Sequence, residues 1–279
     1  MIDIFNKVLK EDSCFLKYST AISGTGLGNK VLFFGFRNGQ RLPWVVVKTV
    51  RKYGDAPVIR NGHRNLEYLH TLIKGTPYGA MFPEPLLVYD DGYIVFSAET
   101  VCAGERVNLE AHRDQILKRY THFQKHVADS VQDTIDISAE YGKKLIRDLE
   151  GSRDTIEGLS AYLSDLWRDE HVRLSLLPQH GDMTIDNILF DNTGMKIIDC
   201  DTFGAIRIPG FDVYHLLTKG KVKEWQPHLQ SHFDELGIEY AVDTKLLFIY
   251  FLHELFIKRD YILKHKSLEA VIREFEAVI

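Results

Sequence analysis

Clustered cysteine is missing from this 279-residue chain: its three cysteines, Cys14, Cys102 and Cys200, lie far apart and form no CxxC pair. Neither a disulfide framework nor a thiolate zinc site is indicated, and a reducing cytoplasm is the expected compartment. A basic excess is missing too. The formal net charge is −5 and the pI near 6.2, whereas a nucleic-acid binder would carry a basic surplus, so nucleic acid is not an expected partner. Long apolar runs are absent: the longest, Leu246 to Leu252, is closed by His253 and Glu254 and is far shorter than the 18 or more residues of a bilayer span. It predicts a buried helix, and no membrane partner is expected. Asp3 and Lys7 stand where a signal peptide would need its apolar core, so nothing in the sequence predicts export. There is no GxSxG elbow and no HExxH pair, no internal repeat and no low-complexity tract.

What the chain does have is the composition of an ordinary folded domain, 45% hydrophobic and 26% charged, with a length that suits one large domain or two lobes. Charge is unevenly spread. Residues 1–64 carry eleven Lys/Arg against four Asp/Glu, and residues 129–170 carry eleven Asp/Glu against five Lys/Arg. From Phe15 to Val50, short β-branched and aromatic runs (KYSTAIS, KVLFFGF, WVVVKTV) separated by Gly-containing turns predict an antiparallel meander. Leu66, Leu69, Leu72 and Ile73 at helical spacing predict one helix over 61–74, and PLLVYDD and YIVFSAE, joined at Asp91-Gly92, predict two further strands. After Gly104 the pattern turns to long amphipathic helices, with Ile116, Tyr120, Phe123 and Val127 in the first. The expectation is a β-rich lobe over 1–102 and a mostly helical lobe over 103–279.

Two short apolar runs among those helices, LPQHGDMTIDNILF and MKIIDCDTF, hold the polar residues that point to chemistry. His180, Asp182 and Asn187 are followed twelve residues later by Asp199. Two carboxylates and an amide oxygen are hard donors of the kind that hold Mg²⁺ beside phosphate oxygens, and Asp182 could instead accept a substrate proton. The spacing is the H-x-D-x-x-x-x-N arrangement followed by a metal-binding Asp that recurs in phosphoryl transfer. A turn rich in Asp and Asn between two strands would explain the first motif alone, but not the ordered second one.

The runs HGDMTIDNILF, KIIDCD and FDVYHLL resemble the signature of the aminoglycoside phosphotransferase and choline kinase-like superfamily. That resemblance implies a bilobal protein kinase-like α+β fold with Mg-ATP, or Mg-GTP, in the cleft between the lobes. It implies transfer of a γ-phosphoryl group to a hydroxyl of a small molecule such as an aminoglycoside, an amino alcohol or a sugar. It also implies Asp182 as catalytic base, Asn187 and Asp199 as magnesium ligands, and His180 and Asp212 as braces of the catalytic loop. Upstream, ISGTGLGNKV matches GxGxxGxV at Gly24, Gly26 and Val31, with Asn29 in the third glycine position, where a residue tolerant of positive φ is physically acceptable. A Rossmann reading would need a helix opening at those glycines, and KVLFFGF reads as a strand.

Seventeen residues after Val31, Lys48 sits in a run too apolar to hold an unpaired charge, with Trp44 and Val46 on its face by strict alternation. The resemblance implies that Lys48 contacts nucleotide phosphates and that Val46 covers the base. Its acidic partner is open between two helix positions: Glu67 is the acid available, and the family register falls on Asn65.

Three departures from the pattern are visible. Thr184 stands two residues after the base where relatives place a cation, Cys200-Asp201 replaces the glycine of a DFG segment, and no APE-like segment follows. A protein-kinase activation switch is therefore not expected. Asp201 reads as a further metal ligand or as a cap or surface residue. His122 and His126, four apart, read as a solvated face, and Trp225 as a candidate pocket wall. The competing readings are a nucleotide-binding pseudokinase or regulatory module, and a phosphate-binding hydrolase for which no residue positions a water. The acid excess over 129–170 mildly favours a cationic acceptor.

Overall fold

The computed structural model describes residues 7, 15–19, 30–37, 39–131, 133–149, 153–167, 172–257 and 268–277. The chain divides into two compact units, Met1–Val107 with Asp186–Phe203, and Asn108–Ile185 with Gly204–Ile279.

In the first unit the β-branched and aromatic runs form β1 (Phe15–Ser19), β2 (Lys30–Phe36), β3 (Val45–Val50), β4 (Pro85–Asp90) and β5 (Val95–Thr100). They make one antiparallel sheet in the order β1-β2-β3-β5-β4. Register decides which side chains share a face. Leu32 pairs with Lys48, Phe34 with Val46, Val46 with Glu99 and Lys48 with Ser97, so Leu32, Phe34, Val46, Lys48, Ser97 and Glu99 stand together. The opposite face buries Val45 and Val47 against Phe96 and Ala98, each Val worth about 1.5–3 kcal/mol out of water. Trp44 precedes the strand rather than continuing its alternation. It packs against this apolar cluster, with the Arg37 guanidinium 4.1 Å over its ring.

Helix α1 (Ala56–Ile73) begins five residues before the 61–74 span that the sequence predicts. Pro57 explains the difference, because proline is compatible with a first helical turn, where its missing N–H is not needed. Ala56 and Ile59 pack on Val95 and Val50, at the end of the face that carries Lys48. A second sheet, in the order β10-β9-β6, joins β6 (Glu105–Arg106), β9 (Ile188–Asp191) and β10 (Gly194–Ile197). The β9-β10 turn is held by the Asp191 carboxylate, which accepts from Thr193 N at 2.7 Å and Gly194 N at 2.9 Å.

The second unit is mostly helical: α2 (Leu109–Ser130), α3 (Ala139–Arg147), α4 (Arg153–Leu166), α5 (Phe211–Lys219), α6 (Gln226–Leu236), α7 (Thr244–Ile257) and α8 (Leu268–Glu276), with a short hairpin of β7 (Thr134–Ile137) and β8 (Val172–Ser175). Asn108 caps α2 by accepting from Ala111 N at 3.2 Å. Phe248 and Phe251 of α7 meet Phe275 of α8 in the core, in line with the buried helix expected over Leu246 to Leu252. Trp225 is buried as well, set edge-on to Tyr214. Among the described residues no helix is long and apolar enough to cross a membrane.

Two of this unit's buried histidines, His232 and His253, are shifted by their burial. Burial pulls His232 down to about 3 and His253 down to about 4, so the folded state holds both neutral. Unfolded, each protonates near 6.5, so the unfolded state binds more protons below that pH. Stability is therefore full above about pH 6.5 and declines by several kcal/mol as pH falls toward 4. Replacing both by Gln should flatten urea-melt stability between pH 6.5 and 4. An unchanged slope would show that other groups carry it.

Candidate active site

The first unit contains a cavity of about 410 Å³ on the Lys48 face of its sheet. Its walls are apolar, from Leu32, Phe34 and Val46 on the large sheet to Leu189 and Ile198 from the segment 186–203. The alternate residues Lys30, Leu32 and Phe34 of β2 line it, and Val31, which the glycine pattern aligns with the family valine, is buried without lining it. One part of the wall is charged, with Lys30, Lys48, Glu99, Asn187 and Asp199. An apolar slot with a few convergent polar groups suits a flat heterocycle carrying an anionic tail. Gly24, Gly26 and Asn29 lie outside the described residues.

Lys48 is buried, its side chain 6% exposed, and three carboxylates surround it. Nζ lies 2.8 Å from Asp201, 3.1 Å from Glu99 and 3.4 Å from Asp199. Burial opposes its charge, but Asp201, Glu99 and Asp199 together outweigh burial and raise the lysine well above its ordinary range. Burial likewise raises Glu99 against the pull of Lys48. Asp201, in spite of burial, is held well below the usual carboxylate range by Lys48 and Lys30, which donates to its second oxygen.

Helix α1 therefore does not supply the lysine's acid. Glu67 points outward, 58% exposed, 3.4 Å from His63, and Asn65 donates through Nδ2 to the Asp201 carbonyl at 2.6 Å. The helix serves Asp201 instead. A Cβ at Gly62 would stand 2.9 Å from the Asp201 carboxyl carbon, so only glycine lets the helix approach this closely. Sequence reasoning missed Lys30, Glu99 and Gly62, and left Asp201 open. Glu99 was legible on the same ground as Lys48, as a lone charge in an otherwise apolar strand.

Asn187 and Asp199 both line the cavity, and Asp199 is half exposed. One amide and one carboxylate oxygen open to the cavity fit a hard divalent cation that takes its other ligands from phosphate and water. Among the described residues no group of three or more His, Cys, Asp or Glu could hold a metal by itself.

In the second unit the HGD loop hangs on one buried carboxylate. Asp212, at the start of α5, accepts from His180 N at 2.5 Å, from Gly181 N at 2.9 Å and from the Tyr120 hydroxyl. Gly181 takes φ +85°, which a side chain would strain. Gln179 and Gln124 complete the support: Gln179 Oε1 accepts from Asp212 N, and its Nε2 donates to Gln124 at 2.8 Å. His180 is buried and accepts through Nδ1 from Asp182 N at 3.4 Å. Asp182 itself is half exposed, and His215 lies behind it. A fixed loop presenting one open carboxylate can hold and deprotonate a hydroxyl.

No protein-family model matches the chain, and no curated protein matches it in sequence. Solved structures do match. A fructosamine-3-kinase from Thermobifida fusca aligns with a TM-score of 0.59 at 13% identity, over 95% of this chain and 92% of that one. The aminoglycoside phosphotransferase APH(3'')-Id of Streptomyces rimosus, in complex with ADP and streptomycin, aligns at 0.59 and 12%, over 92% and 98%. The amicoumacin kinase hAmiN, with AMP-PNP, Ca²⁺ and its substrate, aligns at 0.59 and 12%, over 94% and 86%. The chain has the fold of the aminoglycoside phosphotransferase and protein kinase-like superfamily, as the motifs in its sequence imply.

Two outcomes test this site. Asp201→Ala leaves Lys30 and Lys48 short of a buried counter-ion and should cost about 2–4 kcal/mol in chemical denaturation, whereas Glu67→Ala should change stability by less than about 0.5 kcal/mol. Equal effects would refute the assignment of Asp201 as the anchor. Burial pushes the Cys102 thiol, on the cavity wall, up to about 12. Its thiolate fraction at pH 8 is then about 10⁻⁴, against about a quarter for an ordinary cysteine. Peptide-resolved iodoacetamide labelling should find it nearly inert, and rapid labelling would contradict the burial.

Proposed function

We propose that the protein is a small-molecule kinase that moves the γ-phosphoryl group of ATP or GTP, with magnesium, to a hydroxyl of a small acceptor. The observation that carries this reading is the cavity of the first unit, apolar where a purine would lie and charged where Lys48, Asn187 and Asp199 meet. The fold, shared with kinases of aminoglycosides, amicoumacin and fructosamines, supports it.

In this reading Val46 and the other apolar residues of the slot cover the base. Lys48, kept charged and fixed by Asp201 and Glu99, draws the phosphates into line. Asn187 and Asp199 would hold the magnesium ion, which supplies neutralisation of phosphate charge when bound. Asp182 accepts the acceptor's hydroxyl proton as the new O–P bond forms and the bridging P–O bond breaks, its electron pair leaving on the nucleoside diphosphate. His180 and Asp212 set the loop that aims it. With Thr184 in place of a cation, Lys30 is an additional positive charge on the cavity wall, next to Lys48 on their shared partner Asp201. Gly24, Gly26 and Asn29 are assigned to phosphate binding by their sequence pattern. The acid-rich stretch over 129–170 favours a cationic acceptor, an aminoglycoside or amino alcohol before a neutral sugar.

Calorimetric titration with a non-hydrolysable ATP or GTP analogue and Mg²⁺ should show binding that Lys48→Ala weakens at least tenfold. No binding at millimolar nucleotide would remove the kinase reading. With an acceptor found by screening sugars, aminoglycosides and amino alcohols for ATP consumption, Asp182→Asn should lower kcat by at least about 10² while nucleotide affinity stays within a few-fold. Nucleotide binding with no consumption across acceptors, and no effect of Asp182→Asn, would favour a nucleotide-binding pseudokinase.

A further inference from the structure

Behind Asp182 the second unit holds a buried ionic cluster that no part of the phosphotransfer motif predicts. His215 of α5 is buried, its Nδ1 2.7 Å from Glu254 Oε1 of α7 and its Nε2 3.6 Å from Asp182 Oδ1. The other Glu254 oxygen accepts from Lys219 Nζ at 3.1 Å. One helical turn before His215, the Phe211 ring stacks on the imidazole, with centroids 5.7 Å apart and planes 20° from parallel. The ring plane is fixed by that stack and by Glu254.

The geometry constrains the protons. Nδ1 bears one, because a carboxylate can only accept. Nε2 then faces a second carboxylate, and a lone pair directed at Asp182 would be repelled, so opposite charge on both sides favours the imidazolium. A charged imidazole would answer both the Glu254 and the Asp182 carboxylates. A glutamate buried in a helix as apolar as α7 is costly unless it is paired, and here its pairing runs toward the candidate base.

We propose that His215, held as an imidazolium by Glu254, is a positioning residue that fixes the orientation of Asp182 and keeps it ionised to receive the acceptor hydroxyl. The inference rests on the reading of Asp182 as the base. The distance of 3.6 Å is that of an ion pair, and the carboxylate, half exposed, is accessible to a hydroxyl. Removing the cation leaves Asp182 misdirected, and misplacement of a reacting group by about 1 Å costs up to about 10² in rate.

The test is independent of the acceptor. In the full chain labelled with ¹⁵N-histidine, the His215 ring, assigned by its loss in His215→Gln, should show both nitrogens protonated at neutral pH. Asp182→Asn, a change at a half-exposed side chain, should move Nε2 toward the neutral imidazole, and Glu254→Gln should do the same. A neutral ring in the wild type, or a spectrum indifferent to Asp182→Asn, would overturn the proposal. With an acceptor in hand, His215→Gln, which keeps an N–H donor, should lower kcat about tenfold and His215→Leu about a hundredfold. The KM for nucleotide should stay within about twofold, since nothing in the cluster belongs to the nucleotide cavity. Loss of kcat in Asp182→Asn with wild-type kcat in both His215 variants would sink the positioning role alone. A spectrum that responds while Asp182→Asn keeps full kcat would instead remove the base assignment and leave the ionic link standing.

Discussion

A lysine ammonium taken out of water on an apolar strand sets the terms for everything around it in the first unit. Lys48 is tolerable there only because three carboxylates converge on it. Each of those acids makes its own demand. Glu99 must rise from β5 beside β3, Asp199 must follow β10, and Asp201 must be pressed between Lys48 and Lys30. The close approach of α1, the glycine at position 62 and the bond from Asn65 follow from that last requirement. A charge cluster of this kind adds little net stability, yet breaking it is expensive, so it acts mainly to specify one arrangement of side chains.

Position 201 shows how such an arrangement departs from the protein-kinase sequence pattern without abandoning its logic. A protein-kinase pattern would place glycine there and put the lysine's acid on the helix. Here the acid has moved to the segment after Asp199 and the glycine to the helix, at Gly62. The two changes are complementary in volume: a carboxylate appears on one surface where a side chain disappears from the other. Glu67 faces the solvent instead, 3.4 Å from the buried His63.

The second unit repeats the principle with different residues. Asp212 is a buried carboxylate whose cost is offset by three donors, two of them backbone amides of the loop it holds. His215 and Glu254 are a second buried pair a turn further along α5. In both units, then, polar groups placed in apolar surroundings are what fix the segments that carry the candidate site's side chains.

How much of this was legible beforehand follows the range of the interactions. Alternation and helical spacing depend on near neighbours in the chain, so the strands, the amphipathic helices and the pocket-facing positions Val46 and Lys48 could be read directly. The ordered motifs ending in Asp182, Asn187 and Asp199 were legible for a related reason, since a loop between short strands leaves few ways to place such donors. Which acid answers Lys48 was not legible, because Asp201 lies 153 residues away and the choice over Glu67 depends on the depth to which α1 settles against it. The same holds for Asp182 and His215, brought together because Asp212, one turn before His215 on α5, holds the HGD loop. It holds also for the segment Asp186–Phe203, which groups with residues far earlier in the chain. Local periodicity decides what a residue faces, and only packing at long range decides what it meets.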